Sequence, residues 1–268
     1  MTTTRTTPTT YPTATTTPID PAVSDESIAP RVYDLIRHPK QGVTNLYLVR
    51  HGQTEGNAKH LFIGSTDLPL DPLGERQAVE VGARFASIAI DELISSPMLR
   101  ARQTAAEISR TTGKQPVIVE GLSEIDFGII EGLTIAQVLE QFPEMRAKMD
   151  DIANVDLQWP EGESRVTFND RVLTAFLGIL ERYVNQTVAV VCHGGVIGSF
   201  VAQVEGGSPS DFLKYAVQNC SVTHLEVTPD RTVVHFSNDY SHLAAVQTEP
   251  LRLSPNLMED DGEPGSNG

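Results

Sequence analysis

The chain has 268 residues, is 40% hydrophobic and sets 20 Lys and Arg against 35 Asp and Glu, a formal charge of −15. A chain of that length can bury a sizeable core, and its anionic field disfavours nucleic acid and anionic membrane surfaces as partners. Two cysteines, Cys192 and Cys220, do not make a disulfide framework in so long a chain, which fits a reducing, cytoplasmic setting.

Residues 1–27 are rich in Thr, with Pro8, Pro12 and Pro18 and few large apolar groups. Such a segment has little surface with which to offset its ordering entropy and is expected to be a disordered tail. No apolar block follows Arg5 as it would in a secretory signal. Residues 28–250 are expected to form one domain, and 251–268, with Glu259, Asp260, Asp261 and Glu263, an acidic tail.

Within the domain the first predicted strand is Leu46 to Val49, and it ends in Arg50-His51-Gly52. Asp71 before Pro72 marks a helix start, continued by the apolar stripe of Ala78, Val81 and Phe85. A short strand around Leu93 and Ile94 leads through Ser95-Ser96-Pro97 into a helix from Met98 that carries Arg100. Val117 to Val119 is a further strand, and Thr134 to Phe142 a helix stopped by Pro143. Residues 144–162 are expected to be irregular or to hold short helices. A long helix begins near Ser164, with Val172, Phe176, Leu180 and Tyr183 at helical spacing. Thr187 to Val191 is β-branched and uncharged, the most strand-like segment, and runs into His193-Gly194-Gly195. The apolar stretch Val188 to Val204 is too short and too often interrupted by glycine and polar groups for a membrane span. The last strands, Ser221 to Val227 and Thr232 to Phe236, are placed at the sheet's far edge. The pattern predicts an α/β fold, a three-layer α/β/α sandwich with a mostly parallel central sheet and helices on both faces.

Open α/β sheets hold ligands beyond the carboxyl ends of their strands, and here two such ends deliver a histidine. Arginine offers a rigid fork of donors suited to phosphate oxygens, so Arg50 and Arg100 are candidate anion binders. Gly194 and Gly195 would let backbone amides approach an anion. Cys192 beside His193 has the composition of an activated thiolate, but a small residue ending a buried strand is an ordinary core occupant. No compact zinc-type ligand spacing links His51, His193 and Glu124.

Leu48-Val49-Arg50-His51-Gly52-Gln53-Thr54 with Asn57, Ser95-Ser96-Pro97-Met98-Leu99-Arg100-Ala101, Leu122-Ser123-Glu124 with Phe127-Gly128, and His193-Gly194-Gly195 resemble, in this order, the blocks of the histidine phosphatase superfamily. The similarity is to the branch holding cofactor-dependent phosphoglycerate mutases and small-molecule phosphatases. It implies His51 as nucleophile, Arg50, Asn57, Arg100, His193 (a donor in its charged form) and Gly194 as phosphate binders, and Glu124 as the proton donor. Asp126 is a rival acid. The resemblance implies no metal and no cofactor, a small-molecule phosphate ester as partner, and leaves a homodimer open.

Mutases of this branch carry an arginine after the acid of the third block, where this chain has Ile125, and a further pair of arginines that 133–163 does not supply. The runs Gly64 to Leu70 and Phe127 to Thr134 resemble those of ribazole-phosphate and broad-specificity phosphatases. A phosphomonoesterase acting through a phosphohistidine is therefore expected, with Phe62, Gly64, Ile125 and Phe127 as candidate substrate contacts. A phosphoglycerate mutase and a non-catalytic phosphate-binding module are the alternatives.

Overall fold

The computed structural model describes residues 42–150, 157–206, 209–228 and 231–246. The two expected tails, 1–27 and 251–268, lie outside these residues.

In chain order, β1 is Thr44–Arg50, α1 the short Glu55–Ala58, α2 Pro72–Arg84, β2 Glu92–Ser95, α3 Leu99–Thr112 and β3 Pro116–Ile118. Then follow α4 (Ile135–Gln141), α5 (Glu144–Asp150), α6 (Arg165–Arg182), β4 (Thr187–Cys192), α7 (Gly194–Val204), β5 (Val222–Val227) and β6 (Thr232–Asp239). Local chemistry sets the helix starts. Asp71 accepts from the Leu73 and Gly74 amides at the head of α2, with Pro72 at the first helical position. Thr134 and Gln137 form a reciprocal cap on α4, satisfying backbone donors that the helix itself cannot.

The strands form one sheet in the order β3-β2-β4-β1-β5-β6. From β3 to β1 the pairing is parallel, while β5 runs antiparallel to β1 and β6 to β5. Side chains alternate across the pleat, and the two cores follow that period. Leu46, Leu48, Val188, Val190 and Leu225 face the layer containing α6 and α7. Val49, Ala189, Val191 and Val222 face the layer of α2 and α3. This is the three-layer sandwich expected from the pattern. The stretch 188–204 divides into β4 and α7, and among the described residues no helix is long and apolar enough to cross a membrane.

Register places the functional edge. Arg50 pairs with Cys192, and Ser95 pairs with Val191, so the residues after β1, β2 and β4 emerge side by side at the carboxyl edge. Because β5 is antiparallel to β1, its incoming turn, Asn219 to Ser221, arrives at the same edge.

Candidate active site

His51 and His193 leave adjacent parallel strands and face each other with ring centroids 5.1 Å apart. The His51 Nδ1 lies 2.7 Å from the Gly52 carbonyl. A carbonyl only accepts, so Nδ1 bears the hydrogen and Nε2 keeps its lone pair. Burial, then the Arg100 and Arg50 charges, hold the His51 pKa well below the usual imidazole value. The ring is therefore neutral, as a nitrogen nucleophile has to be. The loop is braced around it. The Gly52 amide donates to the Thr104 hydroxyl, and Asn219 Nδ2 and the Cys220 amide donate to the His51 carbonyl.

His193 is fully buried, and the Ser96 hydroxyl lies 2.7 Å from its Nε2. Burial and the charges of Arg100, His51, Arg50 and Arg171 hold its pKa well below the ordinary value. The charged imidazole expected from the sequence is disfavoured by this setting, where a cation would sit unsolvated among other cations. Nε2 is paired with the Ser96 hydroxyl, and Nδ1 is buried with no partner among the described residues. The Nε of Arg50 is likewise buried and unpartnered, while its Nη1 donates to the Val217 carbonyl at 2.6 Å. Buried polar nitrogens without partners cost free energy, and an anion here would pair with the Arg50 donor.

Arg100, 1% exposed, donates to the Gly64 and Thr66 carbonyls at 2.8 and 2.9 Å and contacts the Met98 sulfur. It thereby ties the loop after α1 to the head of α3. Glu131 holds the same loop by accepting from the amides and hydroxyls of Ser65 and Thr66, and these bonds lower its pKa despite the opposing effect of burial. Asn57 uses its Oδ1 to accept from the Thr54 amide and from Asn219.

Glu124 is tied to the head of α7, two residues after His193. Its Oε2 accepts from the Gly195 amide and its Oε1 from the Ile125 amide, both at 3.0 Å. A Cβ on residue 195 would stand 2.4 Å from the Glu124 carboxylate, so only glycine admits the contact. Position 194 is less crowded, its Cβ meeting Arg50 Nε at 3.4 Å.

The backbone carrying Glu124 is held by Arg171 of α6. Arg171 donates to the carbonyls of Gly121, Ser123 and Glu124 at 3.0, 2.8 and 3.3 Å and forms a paired contact with Glu163 at 3.0 and 2.8 Å. A guanidinium has five N–H donors, and these contacts use all of them. Asp126, the rival acid, accepts from the Gly128 amide and the Ser65 hydroxyl, which gives it a structural task.

A cleft of about 580 Å³ opens over Glu124 and is walled by Asp67, Met98, Glu120, Asp126, Glu163 and Arg171, among others. The structure thus brings His51, Arg50, Arg100, His193 and Glu124 together. It does not bring Phe62, Gly64, Ile125 or Phe127 to the cleft wall. Phe62 and Phe127 pack on Trp159 with centroids 5.7 and 5.0 Å away, and Ile125 is in the core. Gly64 is there for close approach, because a Cβ would fall 1.8 Å from the Ile125 carbonyl. Arg171, Ser96 and Asn219 were not predicted. Ser96 lay within a motif block, but an arginine on a long helix has no local signal of what it reaches. Burial raises the thiol pKa of Cys192, so that side chain is an inert core residue. Among the described residues no group of three or more His, Cys, Asp or Glu is arranged to hold a metal ion.

The family model of the histidine phosphatase superfamily (branch 1) matches residues 46–240. The chain is 31% identical over 212 residues to the probable phosphoglycerate mutase GpmB of Citrobacter koseri, spanning 77% of this chain and 98% of that protein. A phosphoserine phosphatase mutant from Entamoeba histolytica, solved with phosphoserine, superposes with a TM-score of 0.66 at 28% identity over 75% of this chain and 99% of its own. YhfR of Bacillus stearothermophilus does so with 0.68 at 27% identity, over 75% and 99%. An alpha-ribazole phosphatase from Shigella flexneri shares the fold, with a TM-score of 0.65 at 22% identity over 73% and 96%.

Proposed function

From the premise that the chain belongs to the histidine phosphatase superfamily (branch 1), we propose that it is a phosphomonoesterase that hydrolyses a small phosphate ester through a phosphohistidine on His51. The observation that carries this reading is the His51 Nδ1 contact with the Gly52 carbonyl, which leaves Nε2 free in a pocket of unpartnered nitrogens. The ester phosphate would bind among Arg50, Arg100, His193, the Gly194 amide and the Asn57 amide group. His51 Nε2 attacks phosphorus as the P–O bond to the alcohol breaks, and Glu124 gives the leaving oxygen its proton. Water, deprotonated by Glu124, then attacks phosphorus, releasing phosphate and neutral His51. Preorganised donors stabilise the charge that spreads over the phosphoryl oxygens, and the acid supplies what a poor leaving group lacks.

Similarity to a probable phosphoglycerate mutase supports a second reading, in which the phosphohistidine is passed to another phosphoglycerate. The experiment that separates them supplies 3-phosphoglycerate with 2,3-bisphosphoglycerate and follows both inorganic phosphate and 2-phosphoglycerate. Hydrolysis predicts phosphate release from p-nitrophenyl phosphate and no interconversion of the phosphoglycerates. Interconversion of the phosphoglycerates without phosphate release would replace hydrolysis by transfer.

Arg171 acts on this reaction as a positioning residue. Arg171→Lys retains the charge but offers three donors in place of five, so the Glu124 backbone loses part of its clamp. We expect kcat to fall roughly tenfold or more on alkyl phosphates, since small misplacements of a reacting group are costly. The KM for the phosphate ester should change little. An unchanged kcat, or a loss confined to KM, would remove Arg171 from the positioning of Glu124.

A further inference from the structure

Building on the phosphatase reading, we propose that the cleft beyond Glu124 selects phosphate esters of amino alcohols, whose leaving group carries a positive charge, and turns away esters that carry a carboxylate.

The ligand itself is indicated independently by the phosphate pocket, where the Arg50 Nε donor and His193 Nδ1 are buried without partners among the described residues. Cleft and pocket adjoin at Glu124 and Met98. Glu124 lines the cleft and bonds to the Gly195 amide beside His193, and Met98 lines it and touches Arg100. A phosphoryl group held in that pocket therefore projects its alcohol portion past Glu124 into this space.

Carboxylates predominate along that wall. Asp67, Glu120 and Asp126 face the cleft together with the Glu163–Arg171 pair. Asp67 is occupied through Oδ1 by the Leu99 amide, and Asp126 through Oδ1 by Ser65 and Gly128. Their second oxygens remain as acceptors. Glu120 is exposed, and its carboxylate has no hydrogen bond or ion pair among the described residues. Among the described residues the single cation of the wall is Arg171, and its five donors already meet Glu163 and the carbonyls of Gly121, Ser123 and Glu124. It has no hydrogen to give a substrate carboxylate, and the space after Glu124 that a cation might fill is taken by the buried Ile125. An ammonium group there meets acceptors and opposite charge, whereas a carboxylate meets further carboxylates and a guanidinium already paired with Glu163. The closed shell of Arg171 makes the preference one of bonding as well as field.

The test is a matched series that differs only in the terminal group: 3-phosphoglycerate, glycerol 3-phosphate and 3-amino-2-hydroxypropyl phosphate, with p-nitrophenyl phosphate as the reference ester. The expected order of kcat/KM is amine, then alcohol, then carboxylate. The span from amine to carboxylate should be roughly tenfold or more at low ionic strength and should narrow as salt screens the wall. Glu120→Lys should narrow the same ratio, and Glu120→Gln should narrow it less. A series in which all three esters react alike, or in which the carboxylate leads, overturns the proposal while p-nitrophenyl phosphate turnover leaves the phosphatase reading standing. Failure of the folded protein to hydrolyse any of the four removes the phosphatase reading, and the selectivity with it.

Discussion

Replacing His51 by alanine abolishes turnover, by about 10⁴-fold or more, because no other group on this edge can hold the phosphoryl intermediate. Cys192 and Cys220 are buried thiols with raised pKa values, and Nε2 of His193 is engaged with Ser96. The wild-type protein, quenched during turnover of a labelled ester, should carry an acid-labile, base-stable phosphoryl group that is missing from His51→Ala. The same ring sets a pH expectation. Burial and the Arg100 and Arg50 charges depress its pKa, with the Gly52 carbonyl acting in the opposite direction. The nucleophile then stays deprotonated as pH falls through about 6.5, the ordinary imidazole value, so the acid limb of kcat/KM attributable to His51 lies below that pH. Near-normal hydrolysis by His51→Ala, with its fold verified, would end the phosphohistidine scheme.

Glu124→Gln separates proton transfer from phosphate binding. Glutamine keeps the shape and one acceptor for the Gly195 and Ile125 amides but has no proton to give and none to take. Alkyl phosphates should slow by about 10²- to 10⁴-fold, the usual contribution of a positioned acid. An ester with a good leaving group should behave differently. p-Nitrophenyl phosphate needs little help in the first step, so the variant should release a burst of nitrophenol and accumulate phosphohistidine whose hydrolysis now lacks a base. Inorganic phosphate should still bind, since Arg50, Arg100 and His193 are untouched. An alkyl phosphate turned over at the wild-type rate would require another acid, with Asp126 the nearest carboxylate in the chain to test.

The layered architecture was legible because its signals are local and periodic. Asp71 before Pro72 announced α2, Thr187 to Val191 announced β4, and the break at His193-Gly194 separated β4 from α7. Chain pairing was less legible. The sheet places β4 between β1 and β2 and turns β5 against β1, which brings Asn219 and Cys220 to the nucleophile loop. The 144–162 segment, expected as irregular or short helices, contains α5. Phe62 and Phe127, expected as substrate contacts, pack with each other and with Trp159, a mutual arrangement that no local pattern announces. Their large apolar area is better removed from water there than at a charged wall.

What the sequence determined by itself was the chemistry at each strand end: which residues were histidine, arginine or glutamate, and which turns delivered them. These depend on side-chain identity and short-range spacing. The state of those groups was decided only by tertiary structure. Neutral His193, the fixed His51 tautomer and the saturated donors of Arg171 each arise from burial and from partners far along the chain. Desolvation and hydrogen-bond satisfaction are properties of a packed interior, and no stretch of sequence contains them before the strands are brought together.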